Sequence, residues 1–86
     1  MFNILIVDDQ KNMRESLAIA FKRAGYNVDS VENGENAVKL QGDNFYDLVM
    51  LDLKMEDMDG LEVLSHIKQI NLATEVIVMT AFGTID

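Results

Sequence analysis

Asn3-Ile-Leu-Ile-Val7 is an apolar run bounded by Asp8 and Asp9, and residues 47 to 52 repeat the layout as Leu48-Val-Met-Leu51 followed by Asp52. Runs of this length with no polar face suit strands covered on both sides, as in a parallel sheet with helices above and below it. That condition restricts the fold more than any other feature of the sequence. It also leaves carboxylates at the ends of two buried strands, where like charges repel more strongly as the dielectric falls.

The intervening segments have another period. From Met13, the apolar residues Leu17, Ala20, Phe21 and Ala24 recur at spacings of three and four, and Gly25 stands where a helix C-cap belongs. Residues 26 to 31 read as a short second strand. Asn33-Gly34 then punctuates the chain, and Ala37, Val38 and Leu40 indicate a second helix ending near Gly42. Residues 53 to 59 form a polar, acidic loop. Asp59 can cap a third helix, with Leu61, Val63, Leu64 and Ile67 on its buried side, that runs to Ile70. Residues 75 to 80 form a fourth strand, and residues 81 to 86 open another helix. Strands alternating with helices predict an α/β fold with a parallel sheet and right-handed crossovers.

At 86 residues the chain has room for one domain, burying roughly 60 to 65% of the surface its unfolded chain exposes. Hydrophobic residues make up 49% and charged residues 26%, so the chain is neither disordered by composition nor a membrane protein. Cysteine is absent, which excludes disulfides, thiolate metal sites and cysteine nucleophiles. A net charge of −8 argues against broad contact with nucleic acid or anionic lipid and favours cations or basic partners. Met1 leads directly into a strand-like segment with no export signal, so a cytoplasmic location is expected.

In open parallel sheets, ligands bind beyond the carboxyl ends of the strands, where strand order reverses. If the first and third strands are neighbours there, Asp8, Asp9 and Asp52 converge. Such a cluster favours a hard divalent cation, and Mg2+ takes oxygen ligands while keeping several waters. A carboxylate beside Mg2+ can also attack phosphorus, because the ion neutralises charge on the transferring group. Asp52 is the candidate nucleophile. Thr80, at the end of the fourth strand, offers a hydroxyl donor, and the small Ala81 after it leaves room for a phosphoryl oxygen. A single acidic residue at a strand end is often only a cap or a solvated charge; three at two strand ends call for compensation.

Other signals fail. The stretch Asp57-Met-Asp-Gly60 looks like part of a calcium loop, but Met55 and His66 stand where that loop needs oxygen ligands. His66, the single histidine, falls on a helix and reads as a surface or partly packed residue. The six methionines, Met13, Met50 and Met79 among them, read as core filler. Lys54 reads either as a solvated loop cation or as one leaning toward the acidic pocket.

Asp8-Asp9, Asp52 within Leu48-Val-Met-Leu-Asp-Leu-Lys-Met55, Asp59-Gly60 and Val76-Ile-Val-Met-Thr-Ala-Phe-Gly83 together resemble the receiver domain of bacterial two-component response regulators. The closing residues are most similar to receivers attached to ATPase-type, enhancer-binding transcription activators. The resemblance spans the whole chain and implies a flavodoxin-like fold of strand order 2-1-3-4-5, which makes the first and third strands neighbours. It implies that Asp52 accepts a phosphoryl group from a sensor histidine kinase, and that Asp9 and Asp52 hold Mg2+, with Asp8 acting through a water. The backbone carbonyl of Lys54 would complete the metal site, and Thr80 would be the hydroxyl that turns toward the phosphoryl group.

The sequence departs from that pattern in two ways. Glu56 stands where the family usually has proline, four residues past the phosphoacceptor. The family's fifth strand, with its lysine and aromatic residue, and its fifth helix have no counterpart within residues 1 to 86, so an incomplete receiver of order 2-1-3-4 is expected. The fourth strand then becomes an exposed apolar edge, which invites self-association. Two other functions compete with phosphoacceptor signalling. One is a truncated or pseudo-receiver that only binds or dimerises. The other is a metal-dependent phosphatase with an aspartyl nucleophile, disfavoured because Lys54 stands where such enzymes need a second acid.

Overall fold

A computed structural model describes residues 1–53 and 60–79. Its elements alternate as expected: β1 (Asn3–Val7), α1 (Lys11–Arg23), β2 (Asn27–Val31), α2 (Gly34–Asp43), β3 (Leu48–Asp52), α3 (Gly60–Ile70) and β4 (Glu75–Met79). The four strands form one parallel sheet in the order β2-β1-β3-β4. β1 and β3 are therefore neighbours at its centre, the condition on which convergence of the aspartates depended.

Alternate residues of the central strands face opposite layers. Leu5, Val7, Val49 and Leu51 pack with Ala37 of α2 and with Val63 and Ile67 of α3. Ile4, Ile6 and Val28 face the other way, against Leu17, Ala18 and Phe21 of α1. Each fully buried aliphatic side chain contributes about 1.5–3 kcal/mol. The two layers together explain why β1 and β3 carry no polar face.

Local signals set the ends of the helices. α1 closes on Gly25 at φ +98°, whose N–H donates to Lys22 O at 3.0 Å while the Tyr26 N–H donates to Phe21 O at 3.1 Å. The Phe21 and Tyr26 rings meet edge to face at 6.2 Å, the apolar contact that accompanies this left-handed closure. Tyr26, expected in the second strand, thus belongs to the helix stop, and β2 begins at Asn27. At α2, the Asn33 side chain accepts from the Asn36 N–H at 2.8 Å.

Several expectations need correction. α1 starts at Lys11 rather than near Met13, and its packed face is Leu17, Ala18 and Phe21; Ala20 and Ala24 are exposed because they fall off that stripe. Leu61 is 61% exposed rather than buried, since it sits two residues, or about 200°, around the helix from Val63. Met13 lies on the solvent side of α1, and Met50 is only partly buried, so the methionines do not act uniformly as core filler. The Asp59 cap, Lys54, Thr80 and the helix opened by residues 81 to 86 lie outside the described residues.

The amino-terminal rim of the sheet is tied by polar contacts. Asp47 exchanges two bonds with Asn3, its Oδ2 accepting from Asn3 N–H at 2.8 Å and its own N–H donating to Asn3 O at 2.9 Å. The Tyr46 hydroxyl donates to Asp29 Oδ2 at 2.6 Å, and the Thr74 hydroxyl donates to Tyr46 O at 2.7 Å. Gln41 Nε2 donates to Thr74 Oγ1 at 3.0 Å, and Lys68 Nζ to Thr74 O at 2.6 Å. These bonds join β2, β3, α2 and α3 to the start of β4, and so fix the register at the end remote from the aspartates.

Candidate functional site

Parallel pairing sets Val7 level with Leu51 and Asp52 level with Met79, so one further residue along β1 brings Asp8 to the height of Asp52. The carboxylates of Asp8, Asp9 and Asp52 each place an oxygen within 4.8 Å of the others. Asp8 and Asp52 are each only 5% exposed, whereas Asp9 faces solvent. Hydrophobic packing beneath the strands thus forces together three groups that repel one another.

The loop after β1 is held from both sides. The Asp8 N–H donates to Val31 O at 3.2 Å, and Asp8 Oδ1 accepts from the Gln10 N–H at 2.8 Å. Arg14 Nη1 donates to Asp8 O at 2.9 Å. Burial pushes the Asp8 carboxyl above the ordinary aspartate range; the Gln10 amide opposes that, the Asp52 and Asp9 charges add to it, and Arg14 pulls it back. On the far side of the site, Gly60 opens α3 against Leu53. A Cβ at position 60 would lie 2.5 Å from the Leu53 Cα and 3.0 Å from its carbonyl oxygen, so only glycine permits this approach.

This donor set fits a hard divalent cation. It offers oxygen alone, from three carboxylates of which two are buried. Of the residues expected at the site, Asp8, Asp9 and Asp52 come together; Lys54 and Thr80 lie outside the described residues. His66 is exposed on α3, as its sequence context implied. Arg14 escaped the sequence reading, which sought a positive answer to the acidic pair in a metal ion or in Lys54. Its signal was spacing, because a residue four past the N-cap Gln10 returns toward the loop that enters the helix.

A parallel sheet of order 2-1-3-4 with helices on both faces and acids at the carboxyl ends of its central strands is a flavodoxin-like α/β domain whose ligand site lies at the switch point. The family model of the response regulator receiver domain matches residues 4–86, and the chain belongs to that family. It is 42% identical over 83 residues to sporulation initiation phosphotransferase F of Bacillus subtilis, spanning 96% of this chain and 67% of that protein. Against the regulatory protein AtoC of Escherichia coli identity is 37% over 83 residues, covering 96% of this chain but only 18% of AtoC. Among solved structures, the response regulator TrrA of Thermotoga maritima in complex with Mg2+-BeF superposes with a TM-score of 0.89 at 41% identity, covering 95% of this chain and 71% of TrrA. TrrA has also been solved in complex with the histidine kinase ThkA, and that copy gives a TM-score of 0.87. No helix among the described residues is long and apolar enough to cross a membrane.

Proposed function

We propose that this chain is the phosphoacceptor module of a two-component system, taking a phosphoryl group on Asp52 from a sensor histidine kinase. The observation that carries this reading is the convergence of Asp8, Asp9 and Asp52 at the carboxyl rim of a parallel sheet. Asp9 and Asp52 would hold Mg2+, with Asp8 acting through a water and the Lys54 carbonyl completing the set. A bound divalent cation supplies charge neutralisation for the transferring group. The Asp52 carboxylate oxygen attacks phosphorus in line, an O–P bond forms, the N–P bond of the donor phosphohistidine breaks, and the imidazole leaves. Thr80 would then turn its hydroxyl to a phosphoryl oxygen. The module assists its own phosphorylation and hydrolysis and is not a turnover enzyme.

The complex of TrrA with its kinase supports a kinase partner. Likeness to AtoC supports an attached transcription-activating output, and the family supports a cytoplasmic location. The net charge of −8 supports the absence of direct contact with nucleic acid or membrane by this segment. Self-association through β4 is supported by its edge position in the described sheet, with Ile77 49% and Val78 39% exposed. Light scattering on the 86-residue chain tests that part, and a monomer at high concentration would refute it.

The central experiment is incubation with Mg2+ and acetyl phosphate. The expected result is a mass gain of one phosphoryl group, abolished in Asp52→Ala. No gain in the native chain would refute phosphoacceptor function here and favour a receiver that serves only to bind.

A further inference from the structure

We propose that Arg14 is the built-in counterion of the acidic loop, standing in for a divalent cation when none is bound and limiting by its charge how tightly the pocket takes one. This rests on the pocket binding Mg2+, as read above, and adds a positioning residue to it.

The placement is specific. Arg14 lies in the second turn of α1; its backbone N–H donates to Gln10 O at 2.9 Å while its Nη1 reaches back to Asp8 O at 2.9 Å. With the bond from the Gln10 N–H to Asp8 Oδ1, these contacts tie loop, carboxylate and helix together. The start of α1 carries none of the usual compensation for its positive end: Gln10 makes no side-chain cap bond and the first turn holds no acidic residue. Beside that helix start, Asp8 Oδ1 accepts from the N–H of the N-cap residue Gln10. Among the described residues, Arg14 is the cation bonded within this loop, and its guanidinium is partly buried, where charge is screened less than on the surface.

Two consequences oppose each other. Without a metal ion, the guanidinium offsets part of the repulsion among Asp8, Asp9 and Asp52 and so stabilises the fold. When a divalent cation enters, that same positive charge repels it. A unit charge several ångströms from a divalent ion, partly screened at ordinary ionic strength, changes affinity roughly threefold.

The test compares native protein with Arg14→Gln, Arg14→Lys and the exposed control Lys11→Gln. Mg2+ affinity is read from amide chemical shifts, and thermal midpoints are taken in EDTA. Arg14→Gln is expected to bind Mg2+ about threefold more tightly while melting lower in EDTA, and the gain in affinity should shrink as salt rises. Arg14→Lys should stay within about twofold of native affinity, and Lys11→Gln should tighten binding less than Arg14→Gln does. Unchanged or weaker binding in Arg14→Gln, or an equal gain in Lys11→Gln, overturns the proposal. If Arg14→Gln does not fold in EDTA, Arg14→Lys decides, and a loss of about tenfold or more overturns it. A native chain whose amide shifts ignore Mg2+ overturns both the pocket and the role of Arg14. A native response without tightening in Arg14→Gln removes only the latter.

Discussion

Removing one charge from the cluster should stabilise the metal-free protein. In Asp8→Asn the side chain keeps its shape and its oxygen can still accept from the Gln10 N–H, now 2.8 Å from Asp8 Oδ1. What disappears is repulsion with Asp9 and Asp52, whose carboxylate oxygens lie within 4.8 Å. Two unit charges at that separation repel by about 1 kcal/mol at the dielectric of water and about 3 kcal/mol at an effective value of 20. Asp52 is buried and Asp9 exposed, so the first pair sits toward the upper figure and the second toward the lower. Against this, the hydrogen bond from Gln10 loses its charge assistance and the attraction of Arg14 is lost, about 1 kcal/mol each. The net is a gain of about 1–2 kcal/mol, or a melting midpoint higher by roughly 5–10 °C for a domain of this size. Circular dichroism melts in EDTA near neutral pH measure it. The sign also fixes the pH dependence. Because the folded-state Asp8 carboxyl titrates above its ordinary value of 3.8, the folded chain binds that proton more tightly than the unfolded chain. Its contribution to stability is present at low pH and is lost as pH rises through the folded-state value. The native protein in EDTA should therefore have a component of stability that declines with rising pH above 3.8 and that Asp8→Asn lacks. Added Mg2+ should raise the native midpoint more than the variant's. An Asp8→Asn protein that melts below native in EDTA would refute the reasoning, because it would mean the carboxylate is a net stabilising partner.

Gly60→Ala should destabilise the fold by about 2 kcal/mol or more, since its Cβ meets the Leu53 backbone and not a yielding side-chain tip; urea titration measures the loss, and Mg2+ affinity should fall with it because Leu53 follows Asp52. Gln41→Met should leave stability within about 1 kcal/mol of native or raise it: the variant forfeits the bond to Thr74 Oγ1 but deletes the buried Gln41 Oε1, which has no partner among the described residues, while the Thr74 hydroxyl keeps its bond to Tyr46 O. A loss above about 2 kcal/mol would show that an internal water satisfies that oxygen. Tyr46→Phe should lower stability by about 1–2 kcal/mol, because it strips Asp29 of a 2.6 Å hydrogen bond; chemical denaturation checks it.

What was legible in the sequence depended on periodicity. Runs buried on both faces announced β1 and β3, and adjacency of those strands, once granted, delivered the aspartate cluster without any knowledge of side-chain positions. Gly25 marked the end of α1 because a left-handed residue is needed there, but the role of Tyr26 in closing that turn was hidden: an aromatic residue before a strand looks the same whether it pairs with a neighbour or packs on Phe21. Leu61 and Ala20 were misplaced because apolar identity alone does not say which side of a helix meets the sheet. The Thr74 network could not be read at all, and the spacing of Arg14 did not by itself disclose the bond it makes. Both depend on where the end of a long side chain arrives, and that is set by packing between elements distant in the chain.

The two rims of the sheet divide the requirements of stability and chemistry between them. At the amino-terminal rim, Asp47 is matched to Asn3 and Thr74 to Tyr46, so buried or half-buried polar groups strengthen the register of the strands. At the carboxyl rim, the same strands deliver Asp8, Asp9 and Asp52 into mutual repulsion that Arg14 only partly offsets. A site whose own residues fully neutralised one another would have no affinity left for a cation or a phosphoryl group. Residual charge is tolerable here because the apolar layers on both faces of β1 and β3, with the polar ties at the opposite end, hold the strands together independently of the site. Substitutions that neutralise a carboxylate at the carboxyl rim should therefore raise stability as they weaken ligand response. Polar deletions at the amino-terminal rim should lower stability and leave the response of the folded fraction intact. Were both rims to behave alike, the separation of roles argued from their hydrogen bonding would be wrong.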